Sequence, residues 1–391
     1  MDDMINGIKP PDRVLWLTDT YDDHNGVSMV LQAIHKEIRA RDLPIDIMVC
    51  SNNMRTARHL IAIKPISVFN IPFYRQQPLR LPNFIKIQRI FLRGKYTRVI
   101  CSTEGPMGLA ALYLKKLYSV KTYFFLHTDW MMFAKETMSM EEAGLNRLQR
   151  LMRIYYNRFD HIFVLNSDQQ KWLTGDSMRF DPARILMTAH WADKIFSSGN
   201  DVKSEDLSSG THRPVILFAG RISQEKGVFE LPGIFRNARQ RIPNLRMIIA
   251  GTGPSEKDLK IAFPEAEYTG WIDHKKLPEV YSSADLLILP SRFDTFSCVV
   301  LEALSCGLPV IAYNTKGPKD IIQDSVNGFL VETPEELSDR IVEYFSDKNL
   351  RNTFKDSAIV RADYYTAGKI MDQLLHDINI HRPAFTDGTS T

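Results

Sequence analysis

The sequence predicts an α/β protein of two Rossmann-like domains with parallel sheets, and three observations carry that expectation. With 391 residues the chain exceeds what one hydrophobic core ordinarily serves. In both halves, short apolar runs alternate with stretches of helical period, the pattern of parallel strands joined by crossover helices. Between the halves, residues 197–212 form a polar stretch without periodicity, which reads as a linker. A composition of 44% apolar and 24% charged residues is that of a folded chain rather than a disordered one. The expected organisation is a first domain over 1–196, the linker 197–212, a second domain over 213–363, a helix over 364–380 and a frayed tail over 381–391.

The elements follow in order. The first strand runs from Arg13 to Thr18, and the loop after it ends in Asn25-Gly26 at the mouth of a helix over Met29 to Arg39. Gly26 permits a ligand to approach the backbone, and an ordinary strand-to-helix turn would look the same. Asp22-Asp23-His24 has the residue types of a metal site, but no further ligands stand at matching spacing, so it reads as a solvated loop. Arg98 to Thr103 is a strand running into Glu104-Gly105-Pro106-Met107-Gly108, and Lys121 to Leu126 a strand ending at His127-Thr128-Asp129-Trp130. A lone histidine after a strand is commonly a structural cap. Ile185 to Thr188 is the last strand of the first half. The second half opens with the strand Val215 to Gly220, followed by Arg221-Ile-Ser-Gln-Glu-Lys226-Gly227. Leu245 to Ala250 is a strand ending in the turn Gly251-Thr252-Gly253-Pro254, and Glu267 to Ile272 another short strand and loop. Asp285 to Pro290 reads as a buried strand, and Cys298 to Ser305 as the helix after it.

The chemistry concentrates in this second half. Asp294 lies in the loop at a strand's carboxyl end, where open α/β sheets bind ligands, and Glu302 stands eight positions later in the helix. Ionised carboxylates only accept hydrogen bonds, which suits the vicinal hydroxyls of a ribose or hexose and repels phosphate. Arg221 and Lys226 supply what carboxylates cannot: a planar donor fork and a compact charge beside helix-initiating amides, fit for a departing diphosphate without a divalent ion. The chain holds no Asp-x-Asp triplet, which weighs against a metal-dependent scheme. Taken singly, Glu302 reads as an exposed helix glutamate and Arg221 with Lys226 as solvated cations. Their joint occurrence is the signal.

In order and spacing, Gly220-Arg221, Lys226-Gly227, Gly251-x-Gly253-Pro254, Gly270-Trp271-Ile272, Asp294-x-Phe296 to Glu302-Ala303 and Gly307-x-Pro309-Val310 resemble the retaining nucleotide-sugar glycosyltransferases of family 4, with the GT-B fold of two Rossmann-like domains facing a central cleft. The resemblance implies that Arg221 and Lys226 hold the donor diphosphate, Glu302 the ribose, Asp294 the transferred sugar and the backbone near Ile272 the base. Donor contacts would extend over Gly26, Gly220, Gly251, Gly253, Phe296, Ser297, Cys298 and Val299. His127 would reach into the cleft near the reacting sugar, as a catalytic residue with Arg221, Lys226 and Asp294; Glu104, His127 and Asp129 would form the acceptor side. The donor would be a UDP- or GDP-sugar, used as substrate, with no bound cofactor and no metal, and the closing helix would cross back onto the first domain. Three positions depart from the family pattern. Glutamate is commonest where Asp294 stands, glycine where Ser297 stands, and the family's Asn-Gly-Val-Asp segment is here His190-Trp191-Ala192-Asp193. An Asp-Thr-Phe version is similar to a branch with several glycolipid and mannosyl enzymes.

Charge divides unevenly: through Phe196 there are 27 Lys plus Arg against 19 Asp plus Glu, and afterwards 22 against 27. No acid occurs from Ile47 to Thr103, while ten cations do, interleaved with Phe69, Phe73, Tyr74, Phe84, Phe91 and Tyr96. Such a face suits an anionic lipid surface or is simply solvated; no nucleic-acid motif accompanies it. The start lacks a signal sequence and no apolar run approaches spanning length, so the expected place is cytoplasmic, with peripheral contact on the inner face of the cytoplasmic membrane. Cys50, Cys101, Cys298 and Cys306 have no metal-like spacing and read as reduced thiols. Rival functions are a catalytically silent nucleotide-sugar binder, or another enzyme of the same fold such as a sugar epimerase or phosphorylase. A dinucleotide oxidoreductase is disfavoured because Glu256 stands where the third glycine of its fingerprint belongs.

Overall fold

Parallel strands and covering helices alternate along almost the whole chain in the computed structural model, which describes residues 12–23, 26–71, 74–136, 140–197, 213–292 and 294–380. Internal contacts divide the chain into two units, one of Met1–Thr188 with Met371–Thr391, the other of Ala189–Ile370.

The first unit contains β1 (Val14–Thr18), α1 (Gly26–Arg41), β2 (Ile45–Cys50), β3 (Leu60–Ile63), β4 (Pro65–Ile71), β5 (Tyr74–Pro82), α2 (Phe84–Arg93), β6 (Arg98–Cys101), α3 (Pro106–Tyr118), β7 (Lys121–Phe125), α4 (Trp130–Glu136), α5 (Glu142–Tyr156), β8 (His161–Val164), α6 (Ser167–Thr174) and β9 (Ile185–Met187). Its parallel sheet has the order β3-β2-β1-β6-β7-β8-β9. Every residue of β1 is buried, because helices cover both faces of a parallel sheet and leave no polar side to alternate with.

The second unit contains β10 (Val215–Ala219), α7 (Leu231–Arg241), β11 (Arg246–Ala250), α8 (Glu256–Ala262), β12 (Glu267–Gly270), α9 (Leu277–Ser282), β13 (Leu286–Leu289), α10 (Cys298–Ser305), β14 (Val310–Tyr313), α11 (Pro318–Ile321), β15 (Gly328–Val331), α12 (Pro334–Ser346) and α13 (Lys348–Asp363); α14 (Ala367–Asp377) begins in this unit and belongs to the first from Met371 on. Its sheet runs β12-β11-β10-β13-β14-β15, again all parallel. Strand order reverses between β1 and β6 in one unit and between β10 and β13 in the other. At such a switch point the loops leave in opposite directions and open a crevice beyond the strands' carboxyl ends.

Three features differ from the sequence expectation. β4 and β5 form an antiparallel ribbon outside the main sheet; prolines at 65, 78 and 82 remove ladder donors and bar these strands from a central position. Phe91 and Tyr96, expected on the basic face, are core residues, since α2 turns Ile87 and Phe91 inward as an i, i+4 pair. Asp23, expected in a solvated loop, has a largely buried side chain 3.4 Å from the Arg80 guanidinium of β5, while Asp22 accepts from Ser51; His24 and Asn25 lie outside the described residues. Behind α14, Ile378 and Asn379 offer their carbonyls to Arg98, and Asp372 pairs with Arg41.

Candidate functional site

In the second unit, three loops leave the carboxyl ends of adjacent strands. After β10 the chain crosses Gly220-Arg221 and makes two short 3-10 turns, Gln224–Lys226 and Val228–Glu230, before α7. Gly227 between those turns has φ +69°, and a Cβ there would lie 2.0 Å from the Pro290 carbonyl oxygen. Only glycine lets the Lys226 turn pack so closely on the loop that carries Asp294. After β11, Gly251 has φ +137° and would drive a Cβ to 1.9 Å from the Gly220 carbonyl oxygen, so this glycine holds the first two loops together. The close pair continues as Gly220 and Ile222 donate to Ala250 and Thr252 carbonyls.

The third loop follows β13. Lys226 Nζ donates to Asp294 Oδ1 at 2.6 Å. Asp294 Oδ2 is buried and meets no donor among the described residues, and the buried Ser297 hydroxyl is likewise unmatched. Two orphaned buried polar atoms, one an acceptor and one able to do either, mark a place where a hydroxylated ligand would complete the hydrogen bonding. Ser297 has φ +64°, in the left-handed region. That backbone explains why glycine is common at this position of the family: a side chain is strained there by about 1 kcal/mol. Phe296 is buried, packed edge-on against His190 and Tyr365.

α10 begins at Cys298, and Glu302, one turn in, faces a cavity of about 270 Å³. The cavity wall includes Gly220, Arg221, Gly251, Trp271, Ile272 and Val299. Tyr281 of α9 donates to Glu302 Oε2 at 2.7 Å. Burial raises the Glu302 carboxyl from the usual range to about 7, and the tyrosine hydrogen bond works in the opposite direction. Among the described residues Arg221 is exposed and pairs with no carboxylate, so its fork is open to an anion. Trp271, with 73% of its surface exposed, stands beside the cavity as a flat apolar wall. The structure thus brings together Gly220, Arg221, Gly251, Ile272, Val299 and Glu302 around one cavity, with the linked Lys226 and Asp294 on the loops that continue from it. Tyr281 and Leu277 of the lining were missed from the sequence. Nothing in local spacing points to Tyr281, which stands on a different helix, 21 positions before its partner.

In the first unit, Gly26 opens α1, and a Cβ on it would meet no atom within 4 Å. His127 is buried with its ring stacked on Phe125 at 4.3 Å between centroids. Asp129 accepts from the Met132 amide and so caps α4. Glu104 accepts from the Tyr156 hydroxyl at 2.7 Å; burial raises its carboxyl to about 7. Asp19, not singled out in the sequence, stands between the loops after β1 and β6: it accepts from the Thr103 hydroxyl and the Met107 amide, and burial raises it to about 6. Among the described residues no group of three or more His, Cys, Asp or Glu is placed to hold a metal ion. None of the four cysteines is in a disulfide.

Two parallel-sheet units of this kind, with cations and carboxylates gathered at the switch point of the second, define the GT-B class. Solved structures agree in fold: sucrose-phosphate synthase from Thermosynechococcus elongatus has a TM-score of 0.74 at 18% identity, over 94% of this chain and 99% of that one. HepE from Anabaena, solved in complex with UDP, gives 0.71 at 17% identity, over 94% and 99%. The family model for glycosyl transferases group 1 matches residues 200–361, and that for glycosyltransferase family 4 matches residues 24–187. The chain belongs to these family 4 type glycosyltransferases. A GDP-mannose-dependent α-mannosyltransferase of Corynebacterium glutamicum is 31% identical over 49% of this chain and 47% of its own length. A sulfoquinovosyl transferase of Arabidopsis thaliana is 28% identical over 67% and 52%. The matches thus span about half the length of these curated relatives.

Proposed function

We propose that the chain is a retaining, metal-independent hexosyltransferase that moves a sugar from a UDP- or GDP-sugar to a hydroxyl acceptor, such as a glycolipid or surface-polysaccharide precursor. The observation that carries this reading is the arrangement in the second unit, where Arg221, unpaired among the described residues, and Glu302 line one cavity, while the Lys226–Asp294 pair ties together the loops after β10 and β13. Relatives named for GDP-mannose and neighbours solved with UDP support the donor class.

In this scheme the ribose diol lies on Glu302, the base against Ile272 and Trp271, and the diphosphate on Arg221, Lys226 and the amides of the Gly220 loop. Asp294 Oδ2 and the Ser297 hydroxyl take the sugar's hydroxyls. As the bond between the anomeric carbon and the diphosphate oxygen breaks, the cations stabilise the charge that develops on the leaving group. The acceptor oxygen forms the new bond on the same face of the sugar, and its proton passes to the departing diphosphate. No side chain serves as a nucleophile. Acceptor binding is assigned to the first unit, to the loops bearing Glu104, His127 and Asp129, with peripheral contact between that unit and an anionic membrane.

A thermal-shift panel of UDP-, GDP- and ADP-sugars tests the donor site, because a ligand that binds only the folded state raises the apparent Tm. One class should stabilise the wild type and lose its effect in Glu302→Ala. No shift with any of them sinks the assignment. Binding without transfer or hydrolysis would favour a silent nucleotide-sugar binder, while donor isomerisation or phosphate dependence would mark an epimerase or phosphorylase.

A further inference from the structure

Outside the cavity, the first unit carries a surface that no described residue covers, beginning on the β4–β5 ribbon and continuing along α2. From Ile47 to Thr103 the chain has no acidic residue to neutralise its cations locally. α2 is anchored by Ile87 and Phe91, and its opposite side carries Ile85, Lys86, Arg89, Leu92 and Arg93, all exposed. At about 100° per residue these five fall within an arc of roughly 120°. Ile85 and Leu92 are 58% and 50% exposed. Seven residues apart, they lie on one line parallel to the helix axis, about 10 Å from each other. The three cations stand along one flank of that line. The ribbon, joined to α2 through Pro82 and Asn83, adds Phe69 opposite Leu79, both exposed.

We propose that this outer face of α2, with the adjoining ribbon, is a docking surface for an anionic lipid bilayer. The proposal refines the membrane contact included in the functional reading and does not depend on the donor site. A groove-binding partner would need a concave apolar seat. Here the aliphatic tips project along a straight edge, which suits shallow insertion into a flat interface, and the long cationic side chains beside them reach lipid phosphates while their stems stay apolar. Each cation near such a surface adds an attraction that falls away beyond a Debye length, so the contact must be salt-sensitive.

The test is co-sedimentation of the full chain with phosphatidylcholine vesicles, with and without phosphatidylglycerol. Wild type should partition onto the anionic vesicles only and be released by salt. The triple variant Lys86→Glu, Arg89→Glu, Arg93→Glu should partition at least about a hundredfold less, since loss of the three cations alone accounts for that factor. Ile85→Ser with Leu92→Ser should lower binding to the anionic vesicles at low salt and leave release at a lower salt concentration than wild type. Unchanged donor-induced thermal shifts in these variants show that the fold and the cavity are intact, because none of these residues touches the donor site. Equal binding to neutral vesicles, or wild-type partitioning by the triple variant, overturns the proposal. So does absence of any wild-type binding to anionic vesicles while the donor still binds. Loss of the donor response alone would refute the enzymatic reading and leave the surface standing.

Discussion

Donor affinity should weaken as pH falls through neutrality, with a midpoint set by Glu302 and adjusted by Tyr281. In the folded protein burial raises the Glu302 carboxyl from 4.5 to about 7. The ionised form is the one able to accept two ribose hydroxyls. If only that form binds, the competent fraction falls about tenfold between pH ~8 and pH ~6, equivalent to about 1.4 kcal/mol. Folding runs the other way. A carboxyl raised on folding favours the native state most below its unfolded pKa, and this contribution, on the order of 3 kcal/mol, is lost as pH rises through 7. Rising affinity with falling intrinsic stability therefore separates titration of Glu302 from acid unfolding. In Tyr281→Phe the carboxylate loses a charge-assisted hydrogen bond of about 1.5–3 kcal/mol, which should move the midpoint up by about one to two pH units. The neighbouring Cys298 and Cys306 thiols, both pushed up to about 12 by burial, stay neutral over this range. Arg221 is the charged side chain that shares the cavity lining with Glu302. Titration calorimetry with a nucleotide sugar is the suitable assay, because its diphosphate lacks the terminal proton that titrates near pH ~6. A 2′,3′-dideoxy donor should bind weakly at every pH and ignore the tyrosine substitution. A flat affinity from pH ~6 to ~8.5, or superposable profiles for wild type and Tyr281→Phe, would refute the reasoning.

Three further outcomes follow from named contacts. Lys226→Ala should weaken donor binding by one to two orders of magnitude and destabilise the fold by about 1–3 kcal/mol, because Asp294 is left without its partner; adding Asp294→Asn should restore the Tm and not the turnover. Ser297→Gly should raise the denaturant midpoint by the equivalent of about 1 kcal/mol, since it relieves a left-handed backbone at φ +64°; an unchanged midpoint would contradict the strain. Arg98→Ala should make the chain after α14 more susceptible to limited proteolysis, because both carbonyls that tie it down, on Ile378 and Asn379, lose their donor; wild-type resistance would show that the tie is immaterial.

Much of the second unit was legible because parallel strands announce themselves as continuous apolar runs and crevice loops follow their carboxyl ends. Leu286–Leu289 and the helix Cys298–Ser305 could be placed within a residue or so for this reason. The direction of Glu302 was legible only jointly with Arg221 and Lys226, since a helix glutamate alone gives no sign of facing inward. Tyr281 was not legible: it reaches Glu302 by tertiary packing of α9 against α10, which leaves no local pattern. Asp19 escaped for a similar reason, as its partners Thr103 and Met107 come from a loop and a helix more than eighty positions away. The ribbon left no strand pattern because its prolines interrupt it, and Phe91 was misplaced on the surface because aromatic spacing within a basic run does not say which side of a helix points inward; Tyr96, just past the turn after that helix, was misplaced with it.

In the proposed donor site, the loop that would hold the sugar is already arranged for it before binding. Asp294 keeps one oxygen on Lys226 and the other buried without a donor among the described residues, and Ser297 holds its hydroxyl in a strained turn three positions on. An unsatisfied buried acceptor destabilises the free protein by about 1–3 kcal/mol, and a sugar hydroxyl arriving there recovers it without reorganising the loop. Meanwhile the diphosphate can attract the Lys226 ammonium without leaving the carboxylate unmatched, because the same sugar supplies donors to Asp294. A nucleoside diphosphate alone competes with Asp294 for Lys226 and offers nothing in return. The complete nucleotide sugar should therefore exceed the bare diphosphate in affinity by more than its extra buried area implies, and Asp294→Ala should abolish that advantage while leaving binding of the diphosphate nearly unchanged or improved. Equal loss for both ligands would show that Asp294 acts through the fold of the loop and not through the sugar.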